Sequence, residues 1–337
     1  MVDISAYFAQ MPVDGKARNT ERTSVLDIQT EHIIVFPPTI QGYTLYDKRW
    51  LDLQVDGITE VVWNKEAFKS LIKDTETKEL IQALVSLRLE SQKPDLISGQ
   101  SNGLVFLLHG GPGTGKKFTA ESVAELAEKP LYWIFWDDIG TTAEVAESYF
   151  ESVLSLGKAW GCVFLLHEVD VFLEQRTPEH PARSAFTAIL LKLLEAYDGL
   201  FILTSKRIDT FDEAFKSRIH VSLHYEDLTA DQRMKIWQRL FEQLKGLGED
   251  RIDFDDLQDH LEELARNEMN GKQIRNAVNT ARQLMEFRRE SLNYGRLNDV
   301  IREIAEFDRY LSEMSTGKYS QDQLAGDEAG LTPEEVG

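Results

Sequence analysis

The sequence predicts an α/β fold: a parallel sheet with helices on both faces, followed by a small all-α domain. Three observations lead there. Between Leu104 and Leu223, short apolar runs of strand length alternate with longer amphipathic stretches, the order that builds a parallel sheet wrapped by crossover helices. The runs themselves, such as LVFLL over 104–108, carry no polar alternation, so these strands are buried on both faces. After Tyr225 the strand-like runs stop and only helical periodicity remains.

Taken in order, the first segment starts polar and ends in an apolar run over 33–36 before Pro37-Pro38, which predicts an extended stretch and a turn. Residues 43–63 mix aromatic and β-branched side chains around Asp56-Gly57, a hairpin pattern with its turn at that pair. From Lys65 to Glu90, the residues Phe68, Leu71, Ile72, Leu80, Leu84 and Leu87 recur at helical spacing, with a break near 74–77. A polar loop over 91–102 follows. Strands are then expected at 104–108, 131–136, 162–166, 199–204 and 219–223, and helices at 116–128, 143–160 and 182–197. Four further helices are expected at 229–245, 254–266, 271–289 and 297–314. The expected organisation is thus a short N-terminal region or connector over 1–64, a large domain over 65–225, a helical domain over 226–314 and a disordered acidic tail over 315–337.

Composition narrows the function classes. A formal charge of -20 opposes general affinity for nucleic acid or anionic membrane, both of which need surplus Lys and Arg. The single cysteine, Cys162, lies in an apolar run and reads as a buried thiol; no disulfide within the chain is possible, which fits a reducing compartment. The start, MVDISAYFAQMPVDG, lacks a basic segment followed by an apolar core, and the longest apolar stretches are too short to cross a bilayer. The expectation is an intracellular, cytoplasmic protein without a membrane span.

Chemistry concentrates in two places. Gly110-Gly111-Pro112-Gly113-Thr114-Gly115-Lys116 follows a strand and opens a helix, the context of a phosphate-binding loop. Glycines let the chain turn tightly, so that successive N–H groups and a helix N-terminus face phosphates, and Lys116 reaches the terminal phosphates as a point charge. The second place is the run CVFLLHEVD over 162–170, a buried strand ending in acidic residues. Downstream of a phosphate loop, such a strand end is where magnesium is held and the attacking water is polarised.

Together with LTSKR over 203–207 and FDEAFKSRIH over 211–220, these motifs resemble the AAA+ ATPase core of the P-loop NTPases, in a branch abundant in fungi. TAESVAE over 119–125 and VFLEQR over 171–176 are similar to that branch, and 37–63 resembles the connector that precedes the core. The resemblance covers about 37–284 and identifies the helical domain as a lid. It implies ATP or ADP as ligand, cradled by Gly113, Thr114, Gly115 and Lys116, and Glu168 as the water-activating carboxylate. It implies partners too: copies of the chain in a ring, or a related active AAA+ subunit acting on a protein client. Arg218 is the candidate arginine finger, a residue worth ~10³–10⁵ in rate in phosphoryl transfer; the other reading is a cation favoured by a helix C-terminus. Lys272 or Arg275, at the start of the lid helix over 271–289, is a weaker candidate contact.

The chain departs from the family where magnesium should bind. Lys117 stands where a Thr or Ser hydroxyl ligates the ion, His167 where the Asp should be, and Lys206 where a polar residue senses the terminal phosphate. Neither Lys117 nor His167 restores a hard oxygen ligand, so magnesium is not expected as a cofactor. All three changes raise the local charge, and a cation about 4 Å from a phosphate oxygen contributes roughly 4 kcal/mol at an effective dielectric of 20. Two readings stand: compensation for the missing ion, or a decayed site obstructed by Lys117. The functional expectation is an ATP-binding protein with weak or no hydrolysis that acts through nucleotide-stabilised assembly. The alternatives are an active remodelling ATPase and a scaffold without nucleotide. The stretch 137–144, DDIGTTAE, has no aromatic residue for polypeptide threading; Phe135 and Trp136 are expected to finish the buried strand before it. The seven histidines show no metal-ligand spacing, so no zinc site is expected.

Overall fold

The structure is a computed structural model that describes residues 38–90, 103–170, 181–206, 213–249 and 251–315. The chain divides into two compact units between Glu226 and Asp227.

The first unit opens with a hairpin pairing β1 (Thr39–Thr44) antiparallel to β2 (Arg49–Gln54). Its turn is not at Asp56-Gly57, which forms a short 3₁₀ segment beyond β2. The chain reverses at 45–48 instead, where Lys48 adopts φ 54 and its N–H donates to the Thr44 carbonyl at 2.9 Å. Aromatic packing fixes that register: Tyr43 lies opposite Trp50 with ring centroids 5.3 Å apart, and both pack on Trp160. The helical pattern over 65–90 is realised as α1 (Lys65–Lys69) and α2 (Thr75–Glu90). The break falls at 70–74, because the Asp74 carboxylate accepts the Thr77 N–H at 2.7 Å and its hydroxyl at 2.8 Å and so starts α2.

The five strands β3 (Leu104–Gly110), β4 (Leu131–Ile134), β5 (Val163–Leu166), β6 (Leu200–Ser205) and β7 (Val221–Tyr225) form a wholly parallel sheet in the order β4-β5-β6-β3-β7. The helices between them are α3 (Lys116–Ala127), α4 (Trp136–Ile139), α5 (Ala143–Trp160), α6 (Pro181–Ala196) and α7 (Glu213–Lys216). Alternate strand residues face opposite ways. Val105, Leu107, Phe164 and Phe201 pack with Phe150 of α5 and Leu190 of α6. On the other face, Phe106, Leu108, Leu165 and Ile202 pack with Phe68 of α1, Ile81 of α2 and Val123 of α3. This two-sided burial is why the strands lack polar alternation. Cys162 is buried and free, and burial pushes its thiol up to about 12.

Two strand ends differ from the sequence pattern. β4 stops at Ile134, so Phe135 and Trp136 do not finish a buried strand: they are 40% and 41% exposed, and Trp136 opens α4. The cause is Asp138, whose carboxylate accepts the Phe135 N–H at 2.7 Å and pairs with Lys48 of the hairpin, turning the chain out of the sheet. β7 begins at Val221, the first residue in register with β3, while Ile219 is held in the turn after α7 by the Phe215 carbonyl.

The second unit contains α8 (Ala230–Gly246), α9 (Phe254–Asp259), α10 (Leu261–Arg266), α11 (Gly271–Arg288) and α12 (Tyr294–Ser315). Capping boxes at Thr229/Gln232 and Asn270/Gln273 start α8 and α11. Trp237, Phe241, Leu257, Leu264, Ile274, Val278 and Leu297 form its core. The helix expected over 254–266 is interrupted at His260, whose Nδ1 meets the Asp256 carbonyl at 2.8 Å and whose ring stacks on Tyr294. Extended pairing among the described residues of this unit is one isolated bridge, Ile252 to Leu292. The polar loop over 91–102 and the tail beyond Ser315 lie outside the described residues. Among the described residues, no helix is long and apolar enough to cross a membrane.

Candidate functional site

β3, β6 and β5 are neighbours, and the three sequence motifs leave their carboxyl ends side by side. This is the edge at which open parallel sheets take ligands. At the end of β3, Gly110, Gly113 and Gly115 adopt φ of 138, 72 and 105, and Gly115 caps α3. The Thr114 hydroxyl donates to the Gly111 carbonyl at 2.8 Å and braces the turn. Lys116 is 8% exposed, and its Nζ donates to the carbonyls of Gly110 and Gly111 at 2.6 and 2.5 Å. Burial pulls its pKa down, while the charges of Asp170 and Glu168 oppose that shift. A glycine turn feeding N–H groups into a helix N-terminus, with a lysine at its mouth, is chemistry for phosphate.

At the end of β5, the Thr204 hydroxyl of β6 ties down two residues: it meets His167 Nδ1 at 2.8 Å and accepts the Glu168 N–H at 3.0 Å. Glu168 has φ 56, uncommon for a residue with a side chain. Its carboxylate Oε1 lies 2.9 Å from Lys206 Nζ and 3.9 Å from His167 Nε2. Burial lowers the His167 pKa below 6.5, Glu168 opposes this, and Lys117, Lys206 and Lys116 lower it further. His167 is therefore neutral at neutral pH. Asp170 Oδ1 accepts the Ser205 hydroxyl at 2.7 Å and the Lys206 N–H at 2.9 Å, fixing the backbone from which the Lys206 side chain leaves.

The Lys117 Nζ sits 4.2 Å from the centre of the Trp133 ring of β4. Trp133 stacks on Phe135 at 5.7 Å, and both rings meet His167 edge-on at 6.3 Å. Lys116, Lys206, Glu168, His167 and Lys117 thus form one cluster beside the glycine-rich loop. Arg218 is engaged elsewhere in the same unit: its Nε donates to Glu195 of α6 at 2.8 Å and its Nη1 to the Ala214 carbonyl at 2.6 Å. Lys272 and Arg275 lie on the first turns of α11, in the second unit. Sequence reasoning missed Trp133 and Thr204 as members of the cluster. Both sit in strand runs, and nothing in those runs tells which neighbouring motif their side chains meet.

The donor set does not suit magnesium, which takes hard oxygen ligands in octahedral geometry. Lys117 presents an ammonium on an aromatic face, and His167 presents a ring already bound to Thr204.

Residues 106–226 match the ATPase family associated with various cellular activities (AAA), and 228–318 match the fungal AAA+ ATPase lid domain. The chain belongs to the AAA+ ATPase family, in its fungal type. Solved AAA+ structures share the fold. The AAA domain of FIGL-1 in complex with ADP superposes with TM-score 0.53 at 18% identity, covering 72% of this chain and 88% of that one. A structure of the E. coli MS115-1 HORMA:CdnC:Trip13 complex gives 0.52 at 15% identity, covering 71% and 90%. No match was found among curated proteins. The second unit of this AAA+ protein is the helical lid that its family places after the nucleotide-binding domain.

Proposed function

We propose that this AAA+ protein binds ATP and ADP, hydrolyses ATP weakly or not at all, and acts through nucleotide-stabilised assembly with its own copies or a related active subunit. The observation that carries the reading is the 2.9 Å contact between Lys206 Nζ and Glu168 Oε1. The carboxylate whose family role is to polarise the attacking water is neutralised by an ammonium from the neighbouring strand. The retained loop, Gly110 to Lys116, binds the phosphates through its N–H groups and the Lys116 ammonium. His167 offers an imidazole in place of a carboxylate, with its Nδ1 tied to Thr204, and so does not supply the hard oxygen ligand that magnesium takes. A nucleotide held in this way is aligned by the cradle but not polarised for in-line attack. Arg218 is the residue that would reach a neighbouring subunit's site, once it leaves Glu195.

Steady-state ATPase assays test the reading. The unaltered protein should turn over very slowly, and Lys117→Thr with His167→Asp and Lys206→Asn should restore magnesium-dependent hydrolysis. A catalytic metal supplies several kcal/mol, so the expected gain is about a hundredfold. Lys117→Thr or His167→Asp alone should give little, because two ligands hold one ion and act as a unit. Brisk magnesium-dependent turnover by the unaltered protein would refute the proposal.

A further inference from the structure

We infer that the site takes its nucleotide free of magnesium, with the Lys117 ammonium moving from the face of Trp133 to the phosphates in the ion's place. This rests on the nucleotide-binding reading above and specifies the form of the ligand. Lys117 follows Lys116 directly at the start of α3, so its stem is anchored beside the phosphate loop. It does not fill the mouth of that loop. Lys116 does, through its two carbonyl contacts, while Lys117 is drawn aside onto Trp133 at 4.2 Å. A cation on an aromatic face at an exposed position is held weakly, whereas an ammonium on a phosphate oxygen makes a charge-assisted hydrogen bond. The ring is thus a perch that a phosphate can empty.

The surroundings favour the same ligand. An Asp at position 167 would repel a polyphosphate that arrives without its metal; His167 is neutral and does not. Asp170 is turned toward the β6 backbone, with Oδ1 taken by the Ser205 hydroxyl and the Lys206 N–H. Lys206 offsets the charge of Glu168 at 2.9 Å. Lys116 and Lys117 then remain as the cations not committed to a carboxylate within salt-bridge distance among the described residues of the cluster. Trp133 is a positioning residue: it touches the cation, not the phosphates.

The test is calorimetric titration of the full chain with ATP and with ADP, in magnesium and in chelator. Affinity in chelator should equal or exceed that in magnesium. Lys117→Ala, a change at an exposed position, should weaken binding in chelator about tenfold or more, the weight of one charge-assisted contact; Lys117→Arg should retain most of it. Trp133 emission gives an independent readout. It should change on nucleotide addition in chelator, and the change should be lost in both Trp133→Phe and Lys117→Ala. Binding that requires magnesium would overturn this inference alone. Equal or tighter binding by Lys117→Ala would overturn it as well and mark the lysine as a bystander or an obstruction. Absence of binding under both conditions would overturn the nucleotide-binding reading and this inference with it.

Discussion

Gly110 and Gly115 lie five positions apart in one loop, yet alanine should act very differently at the two. Both have left-handed φ, 138 and 105. A Cβ on Gly110 would fall 2.0 Å from the Tyr225 carbonyl oxygen and 2.9 Å from its carbon, whereas a Cβ on Gly115 would meet nothing within 4 Å. The Tyr225 atoms are main chain of β7, paired with Gly110 at the end of the β3–β7 ladder, so no side-chain rotation relieves the overlap. Both φ lie beyond the left-handed well that alanine can enter at about 1–2 kcal/mol, so each alanine bears at least that strain, and no less at Gly110. Alanine's restriction of the unfolded chain is the same in both variants and cancels in the difference. Only Gly110→Ala must also push β3 and β7 away from each other, an overpacking cost of about 1–3 kcal/mol. Gly110→Ala should therefore be less stable than Gly115→Ala by about 1–3 kcal/mol. Urea unfolding followed by tryptophan emission measures this, since Trp50, Trp63, Trp133, Trp136 and Trp160 lie in the first unit and only Trp237 in the second. Equal midpoints at equal m-values would refute the close approach of Gly110 and Tyr225.

Two further outcomes follow from the same unit. His109 is 6% exposed, stacks on His224 at 4.8 Å and lies near the Lys116 and Lys73 charges; burial first, then these neighbours, lower its pKa below 6.5. Because the unfolded chain takes up this proton first as pH falls, stability is full above 6.5 and is lost below it, by up to about 1.4 kcal/mol per pH unit for one proton. His109→Gln should remove that share of the slope in unfolding midpoints measured from neutral to mildly acidic pH, and an unchanged slope would reject the assignment. Arg218 and Glu195 pair with side chains 30% and 57% exposed, so Arg218→Ala and Glu195→Ala should each cost at most about 1 kcal/mol. In sedimentation with nucleotide, Arg218→Ala should abolish assembly while Glu195→Ala retains it; the reverse order would assign Arg218 a purely internal role.

The sequence by itself determined the layered fold and the place of the phosphate loop. Continuous apolar runs mean burial on both faces, helical periodicity means one buried stripe, and a glycine-rich turn between them has few other uses. The structure bears out the layered fold in the five-stranded parallel sheet and the helical unit after it. What the sequence left undecided was every relation that depends on strand order and register. The hairpin turn settled at Lys48 because Tyr43, Trp50 and Trp160 pack together, against the local preference of Asp56-Gly57. Phe135 and Trp136 came out of the sheet because Asp138 closes a turn with Lys48, a residue far away in the chain. The contacts of Lys117 with Trp133, Thr204 with His167 and Lys206 with Glu168 each join segments brought together only when β5 and β6 take their places between β4 and β3. Hydrophobic pattern fixes which face of a strand is buried, since that depends on each residue's own transfer from water. Which motif stands beside which is a property of the assembled sheet, and only the tertiary structure decided it.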